Sequence, residues 1–258
     1  MLTVDRPGTR IQGLEIVSEQ GEFGSAAVSV IISLFNYEHY IEECLESVKA
    51  QTLREIEIIV VDDCSSDSSI KVVSEWLSLH GRRFCRYVVG RHSNNRGLAF
   101  TRNAALALAR TKYVLPLDAD NALYPRCLQQ LQSALDHCDA SFAYCYLEKF
   151  GNVACVQNIK PWDPKDFRYG NTIDAMVLHR RSVLEKLGGY STDMPVMGWE
   201  DFELWFRTVR AHGWGIMVPE ILARYRVHDE SMLLRTTNPN AAILWDYLQD
   251  RYADLLIF

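Results

Sequence analysis

Residues 27–150 alternate between two patterns of apolar positions. Short runs rich in β-branched residues predict buried strands, and these runs lie at 28–35, 56–61, 84–89, 113–117 and 141–147. Between them, apolar residues three or four positions apart predict helices at 40–51, 70–79, 98–110 and 125–137. Strands and helices that alternate in this way predict an α/β fold, with a mostly parallel central sheet and helices on both faces.

The pattern is less regular after residue 150. Proline, aspartate and aromatic residues predict a long loop at 158–171, and the later pattern predicts helices at 181–187 and 199–212 and a strand or hairpin at 214–226. We therefore expect one domain at 27–235, after a partly disordered N-terminal extension at 1–26 and before a helical tail at 236–258. The apolar end of this tail predicts packing on its own domain, packing on a partner, or continuation into a further domain.

The composition is that of an ordinary soluble protein, with 48% hydrophobic and 23% charged residues. A net charge of −6 disfavours nucleic acid as a partner. Seven cysteines without C-x-x-C spacing argue against a disulfide framework or a zinc knuckle, and they favour a reducing compartment. No signal peptide is recognised in residues 1–26, and the run at 28–35 is too short to span a membrane. We expect a cytoplasmic protein, and leave open a peripheral association with the cytoplasmic face of a membrane or with a partner domain.

Polar residues cluster where the predicted strands end. Ligands of open parallel sheets bind beyond the carboxyl ends of the strands, so these residues predict one cleft. The clusters are 33–36 after the first strand, 62–63 after the second, 94–97 after the third and 118–120 after the fourth.

Asp118 and Asp120 suggest how this cleft holds a diphosphate. Neither a G-x-G-x-x-G nor a G-x-x-x-x-G-K loop is present to cradle phosphate with backbone amides. Carboxylates two residues apart suit Mn²⁺ or Mg²⁺, which proteins commonly bind with one or two carboxylates and the phosphates of the substrate. The alternative is a surface turn in which the two aspartates only cap local structure.

Three further positions have both a chemical and a structural interpretation. Asp63 either forms a turn or accepts a hydrogen bond from a nucleobase. The acidic pair Glu200 and Asp201 either stabilises the start of a helix or supplies a general base, which the helix dipole would keep ionised and make weaker. His228 is either a structural histidine or a third ligand of the cation.

Six segments in this order resemble the motifs of family 2 glycosyltransferases with the GT-A fold. The resemblance covers about residues 27–235 and implies transfer of a sugar from a nucleotide-diphospho-sugar, usually a UDP-sugar, to a saccharide or glycoconjugate acceptor. The segments are VSVIISLFNY (28–37), VVDDCSSD (60–67), NRGLA (95–99) with RN (102–103), LDADN (117–121), GWEDFE (198–203) and YRVH (225–228).

The resemblance implies a role for each matching residue. Ser33 and Phe35 would flank the nucleobase, Asp63 would bind it, and Asn95 would lie near the base and ribose. Asp118 would lie near ribose and metal, Asp120 would be the direct metal ligand, and His228 would join the metal–diphosphate site. Asp201 would be the catalytic base of an inverting reaction, with Glu200 beside it. The family often carries proline where this chain has Ser33 or Leu34.

Two rival functions belong to other classes. A sugar-phosphate nucleotidyltransferase would carry a glycine-rich basic loop after the first strand, where this chain has LFNY at 34–37. Against a non-catalytic nucleotide- or sugar-binding domain, the chain retains all four acidic and histidine residues of the motifs: Asp118, Asp120, Asp201 and His228. Acceptor contacts are expected from five aromatic residues, and the alternative is that these residues form the core: Trp162, Phe167, Tyr169, Tyr190 and Trp199.

Overall fold

The computed structural model describes residues 11–21, 24–158 and 160–256. Their strands are β1 (Leu14–Gly21), β2 (Val28–Leu34), β3 (Ile56–Asp62), β4 (Arg86–His92), β5 (Tyr113–Asp118), β6 (Ala122–Leu123), β7 (Phe142–Gly151), β8 (Cys155–Gln157), β9 (Leu178–Arg180) and β10 (Gly215–Val227). Their α-helices are α1 (Ile41–Lys49), α2 (Ser69–His80), α3 (Leu98–Leu108), α4 (Cys127–Asp136), α5 (Arg181–Leu187), α6 (Glu200–Arg210) and α7 (Ala241–Leu256). Short 3₁₀ helices lie at Gly81–Arg83, Pro164–Tyr169 and Asn238–Asn240, and a π-helix lies at Leu233–Thr237.

The strands form one mixed sheet in the order β1-β4-β3-β2-β5-β9-β7-β10-β6, and β8 pairs with β7. Pairing is parallel from β4 through β3 and β2 to β5, and again between β7 and β10. The expected mostly parallel sheet is confirmed. β9 is antiparallel to both β5 and β7 and so separates the fourth and fifth predicted strands.

The central strands are continuous apolar runs because side chains cover the sheet on both faces. Successive residues of β2 point to opposite sides. Val30 and Ile32 pack in a core with side chains of α1 and α4, whereas Ile31 packs in a second core with α3, α6 and α7.

The third predicted strand and the predicted strand or hairpin at 214–226 differ from expectation in the structure. The third begins at Arg86, two residues later than expected, and continues to His92. These polar ends remain inside the sheet because Arg86 pairs with buried Glu57 and His92 contacts Asp63. The strand-or-hairpin at 214–226 is a single strand, β10, parallel to β7.

Both predicted end segments contribute ordered structure. Within the N-terminal extension, β1 pairs antiparallel with β4 at one edge of the sheet, and residues 1–10 lie outside the described residues. In the tail, Leu244, Leu248 and Tyr252 of α7 are buried, the last two in the core with α6. The described part of the tail therefore packs on its own domain. None of the helices in the described ranges has the length and apolar character needed to cross a membrane.

Candidate active site

One cavity of about 700 Å³ lies at the carboxyl ends of the central strands. Register explains the convergence, because Ser33 of β2 pairs with Val61 on one side and with Asp118 on the other. Eight of the nine predicted site residues line it: Ser33, Phe35, Asp63, Asn95, Asp118, Asp120, Glu200 and Asp201. The ninth, His228, contacts Asp120.

Asp120 and His228 form a pair suited to a divalent cation. The Asp120 Oδ2 and His228 Nε2 atoms are 3.0 Å apart, and both residues are buried. Adjacent ligands of an octahedral cation with bonds of about 2.1 Å are separated by about 3 Å, so this spacing fits a shared ion. Burial raises the pKa of Asp120, and the hydrogen bond with His228 partly offsets this.

The end of β10 is attached to the turn after β5, which explains how residues so distant in sequence meet. The backbone N–H of Arg226 donates to Asn121 Oδ1 at 2.9 Å, and its Nε donates to the Asp120 carbonyl at 2.9 Å. Arg226 also pairs with Glu43 of α1. These contacts place His228 over the turn.

Asp118 faces a different partner. Its Oδ1 accepts a hydrogen bond from Arg102 Nη2 at 2.7 Å, and the buried guanidinium lies 5.3 Å from the centre of the Tyr190 ring. A buried guanidinium needs a counterion, which explains this orientation. In the part of the chain that the structure describes, no three His, Cys, Asp or Glu side chains converge as a metal site. The expected role of Asp118 near ribose and metal remains a prediction.

Asp63 organises the turn that follows β4. Its carboxylate accepts hydrogen bonds from His92 Nδ1 at 2.8 Å and from the backbone N–H groups of Arg96 and Gly97 at 2.9 and 2.7 Å. An ionised carboxylate has about four acceptor positions, so it retains capacity for one further donor. Asn95 of the same turn and the exposed ring of Phe35 also line the cavity.

A strained turn presents Asp201 to the cavity. Gly198 (φ 121°) and Trp199 (φ 59°) adopt positive φ immediately before α6. A β-carbon on Gly198 would lie 2.2 Å from Thr237 Oγ1, so this close approach requires glycine. Asn171 Nδ2 donates to Asp201 Oδ2 at 2.7 Å.

Burial raises the pKa of Asp201, although the nearby Arg102 charge lowers it. The Phe202 N–H at the start of the helix also lowers this pKa, as the sequence predicts, but desolvation outweighs these effects and the net direction is upward. Glu200 is also buried, and its Oε1 accepts the Gly198 N–H at 2.9 Å. Glu200 thus holds the turn that positions its neighbour.

Several residues of the cleft were not singled out from the sequence. Arg102 and Asp174 line the cavity, and buried His92 stands behind Asp63. Arg102 lies in a matched motif, and His92 is a polar residue shortly after an apolar run. Both residues could therefore have been recognised from the sequence. The sequence signal for Asp174 is weaker: it is an acidic residue just before the apolar run that leads into β9.

The aromatic residues between 150 and 200 divide into core and surface. Phe167 and Tyr190 are buried, and Trp162 packs against the ring of Phe142. Tyr169 is 78% exposed, and Trp199 lines the cavity. Among the five aromatics proposed for acceptor contacts, only Trp199 lines the cavity.

Comparison with known proteins agrees with this architecture. Residues 29–188 match the family described as Glycosyl transferase family 2. "Putative glycosyltransferase EpsH" of Bacillus subtilis (strain 168) is 30% identical over 226 residues, which are 81% of this chain and 63% of that protein. The chain thus spans less than two thirds of the length of that relative.

Two solved structures share the fold. S. aureus TarS 1–349 in complex with UDP-GlcNAc gives a TM-score of 0.68 at 18% identity, over 89% of this chain and 70% of that one. The mannosyltransferase PcManGT from Pyrobaculum calidifontis, in complex with GDP-Man and Mn²⁺, gives 0.63 at 22% identity, over 81% and 59%. These likenesses confirm the expected GT-A fold. Since the family match covers more than half of the sequence, the chain belongs to glycosyl transferase family 2.

Proposed function

We propose that this chain is a metal-dependent, inverting glycosyltransferase that moves a sugar from a nucleotide-diphospho-sugar to a hydroxyl of a saccharide or glycoconjugate. The observation that carries the proposal is the contact of His228 with Asp120, which lines the same cavity as Asp201, a carboxyl group with a raised pKa. UDP is the expected nucleotide, and the complexes of TarS with UDP-GlcNAc and of PcManGT with GDP-Man support a nucleotide-sugar donor.

Asp120 and His228 would hold the cation, with Asp118 nearby. A bound Mn²⁺ or Mg²⁺ supplies charge neutralisation for a leaving diphosphate. Arg102 keeps the Asp118 carboxylate fixed, so that this part of the cleft is rigid before a substrate binds.

Asp201 would accept the proton of the acceptor hydroxyl as that oxygen attacks the anomeric carbon. A raised pKa gives a carboxylate greater affinity for this proton, and Asn171 fixes its orientation. Attack on the face opposite to the leaving group in a single displacement inverts the anomeric configuration, by analogy with inverting glycoside hydrolysis.

Calorimetric titration of UDP, GDP and TDP, with Mn²⁺ and with a chelator, tests the donor site. We expect Mn²⁺-dependent binding that favours UDP, and we expect Asp120→Ala to weaken it at least about tenfold. Asp246→Ala, an exposed residue of α7, is the control. Binding that is equally tight with the chelator would contradict the metal site, and the absence of binding by all three nucleotides would contradict the function.

Slow hydrolysis of a UDP-sugar by the purified chain separates an enzyme from a non-catalytic binding domain. The proposed reaction serves polysaccharide or glycoconjugate synthesis in the cytoplasm, including at the cytoplasmic face of a membrane. Seven cysteines without a disulfide support a reducing compartment.

A further inference from the structure

We propose that Asp174 binds a hydroxyl group of the transferred sugar and thereby helps to select which sugar the donor carries. The inference rests on the proposed function and adds a specificity-determining residue to the same cleft. It starts from the loop between the 3₁₀ helix Pro164–Tyr169 and β9, which contributes both Asn171 and Asp174 to the lining of the cavity.

The Asp174 side chain is held in place before any ligand binds. Its Oδ1 accepts the Met176 N–H at 2.9 Å, and its own backbone N–H donates to Asn158 Oδ1 at 3.2 Å. The other carboxylate oxygen accepts no hydrogen bond from the described residues. A carboxyl group fixed in this way is preorganised for a ligand, and its free oxygen is the atom that remains to bind it.

The position of Asp174 points to the sugar. Burial, with the nearby charges of Asp201 and Asp118, raises the pKa of Asp174 to about 7. Asp174 lines the same cavity as Asp201, the proposed base, and Asp118, the residue expected near ribose and metal. The anomeric carbon must lie between those two sites, because the base activates the hydroxyl that attacks it while the diphosphate leaves toward the metal.

The chemistry of Asp174 also suits a hydroxyl group. No Lys, Arg or His of the described ranges lies within ion-pair distance of this carboxyl, and Asp174 belongs to no cluster of metal-binding side chains there. The second Asp174 oxygen is not among the buried polar atoms of the described residues that lack a partner, so it is open to the cavity, where the hydroxyl group of a ligand can reach it. A carboxylate oxygen accepts hydrogen bonds, and a hydroxyl group of a sugar can donate one.

Asp174→Asn is the sharpest test, because an amide keeps an oxygen for the Met176 N–H and replaces the free oxygen with a donor. Affinities for UDP, UDP-glucose, UDP-galactose and UDP-N-acetylglucosamine would be measured with Mn²⁺ for parent and variant. We expect the UDP affinity to stay within about twofold, and the ratio between the best and worst UDP-sugar to change by about tenfold or more, as for loss of a hydrogen bond to a charged group.

Two controls separate this effect from damage to the fold. Asp139→Asn makes the same change at an exposed position in the loop before β7, outside the cavity, and should leave every affinity unchanged. If Asp174→Asn does not fold, Asp174→Ser is tested instead, because serine still offers an oxygen to the Met176 N–H. The UDP affinity of this variant then shows whether it is folded.

Each outcome has a separate meaning. Parent-like preference among UDP-sugars with intact UDP binding would overturn the inference and leave the proposed function standing. Loss of transfer to an acceptor with unchanged sugar preference would place Asp174 on the acceptor instead, and would also overturn it. A parent chain that binds no nucleotide would overturn the proposed function, and the inference with it.

Discussion

The two walls of the cleft are constructed differently. On one wall, Ser33, Asp63 and Asp118 lie at or just after the ends of three adjacent parallel strands, and regular pairing brings them to the same edge of the sheet. On the other wall, Asn171, Asp174 and Asp201 come from a loop and from the start of α6, where hydrogen bonds and a close backbone approach decide their positions. The strand wall is thus fixed by register, whereas the loop wall depends on a few specific contacts.

The largest effect is expected on the loop wall, from Asp201→Asn. Loss of a general base should lower turnover on the order of 10²–10⁴-fold, because an amide cannot take the acceptor proton. Affinity for the UDP-sugar should change little. Steady-state kinetics and calorimetry on the same preparation measure both, with Asp246→Asn as control, and parent-like turnover would show that another residue is the base.

Asp201 should also determine how the rate of the reaction depends on pH. Only ionised Asp201 can act as a base, so the rate should fall as pH falls through its pKa. Because burial raises that pKa, the fall should occur at higher pH than for an ordinary aspartate.

Gly198→Ala tests how much the loop wall depends on one close contact. The new β-carbon would meet Thr237 at a residue with positive φ, which should lower the free energy of unfolding by about 2–3 kcal/mol. Chemical denaturation measures this value. Adding Thr237→Ala should recover only part of the loss, since the backbone strain remains; full recovery would show that the contact alone requires glycine.

A smaller effect is expected on the strand wall, from His92→Leu. Asp63 would keep its two backbone donors and lose the third, so the UDP affinity should fall by about tenfold. His92→Asn, which retains a donor, should lose less. Equal affinities for the parent and both variants would mean that backbone donors alone fix Asp63.

The same contrast explains what the sequence could predict. Apolar runs ending in polar residues identified β2, β3 and β5 and their site residues, because a strand has one carboxyl end and a parallel sheet aligns such ends. The helix position of Asp201 was also visible. Its raised pKa was not, because desolvation depends on residues packed around it from other segments.

Other features required the folded chain. Arg102 forms an ion pair with Asp118, and Asn171 donates a hydrogen bond to Asp201. Both contacts join segments that are distant in sequence, so the local pattern of apolar and polar residues does not predict them. The position of β4 also depends on tertiary contacts. Its polar end residues Arg86 and His92 belong to the strand because Glu57 and Asp63 of the neighbouring segment pair with them.

The contact between Asp120 and His228 has a consequence for the stability of the whole chain. The two residues are 108 positions apart, and they follow strands on either side of β9 and β7. A ligand that engages both would close a loop of that length and bind only the folded chain, so it would raise the melting temperature in proportion to the logarithm of its concentration. Occupancy of this one small site could then be measured as an increase in the thermal stability of the whole sheet.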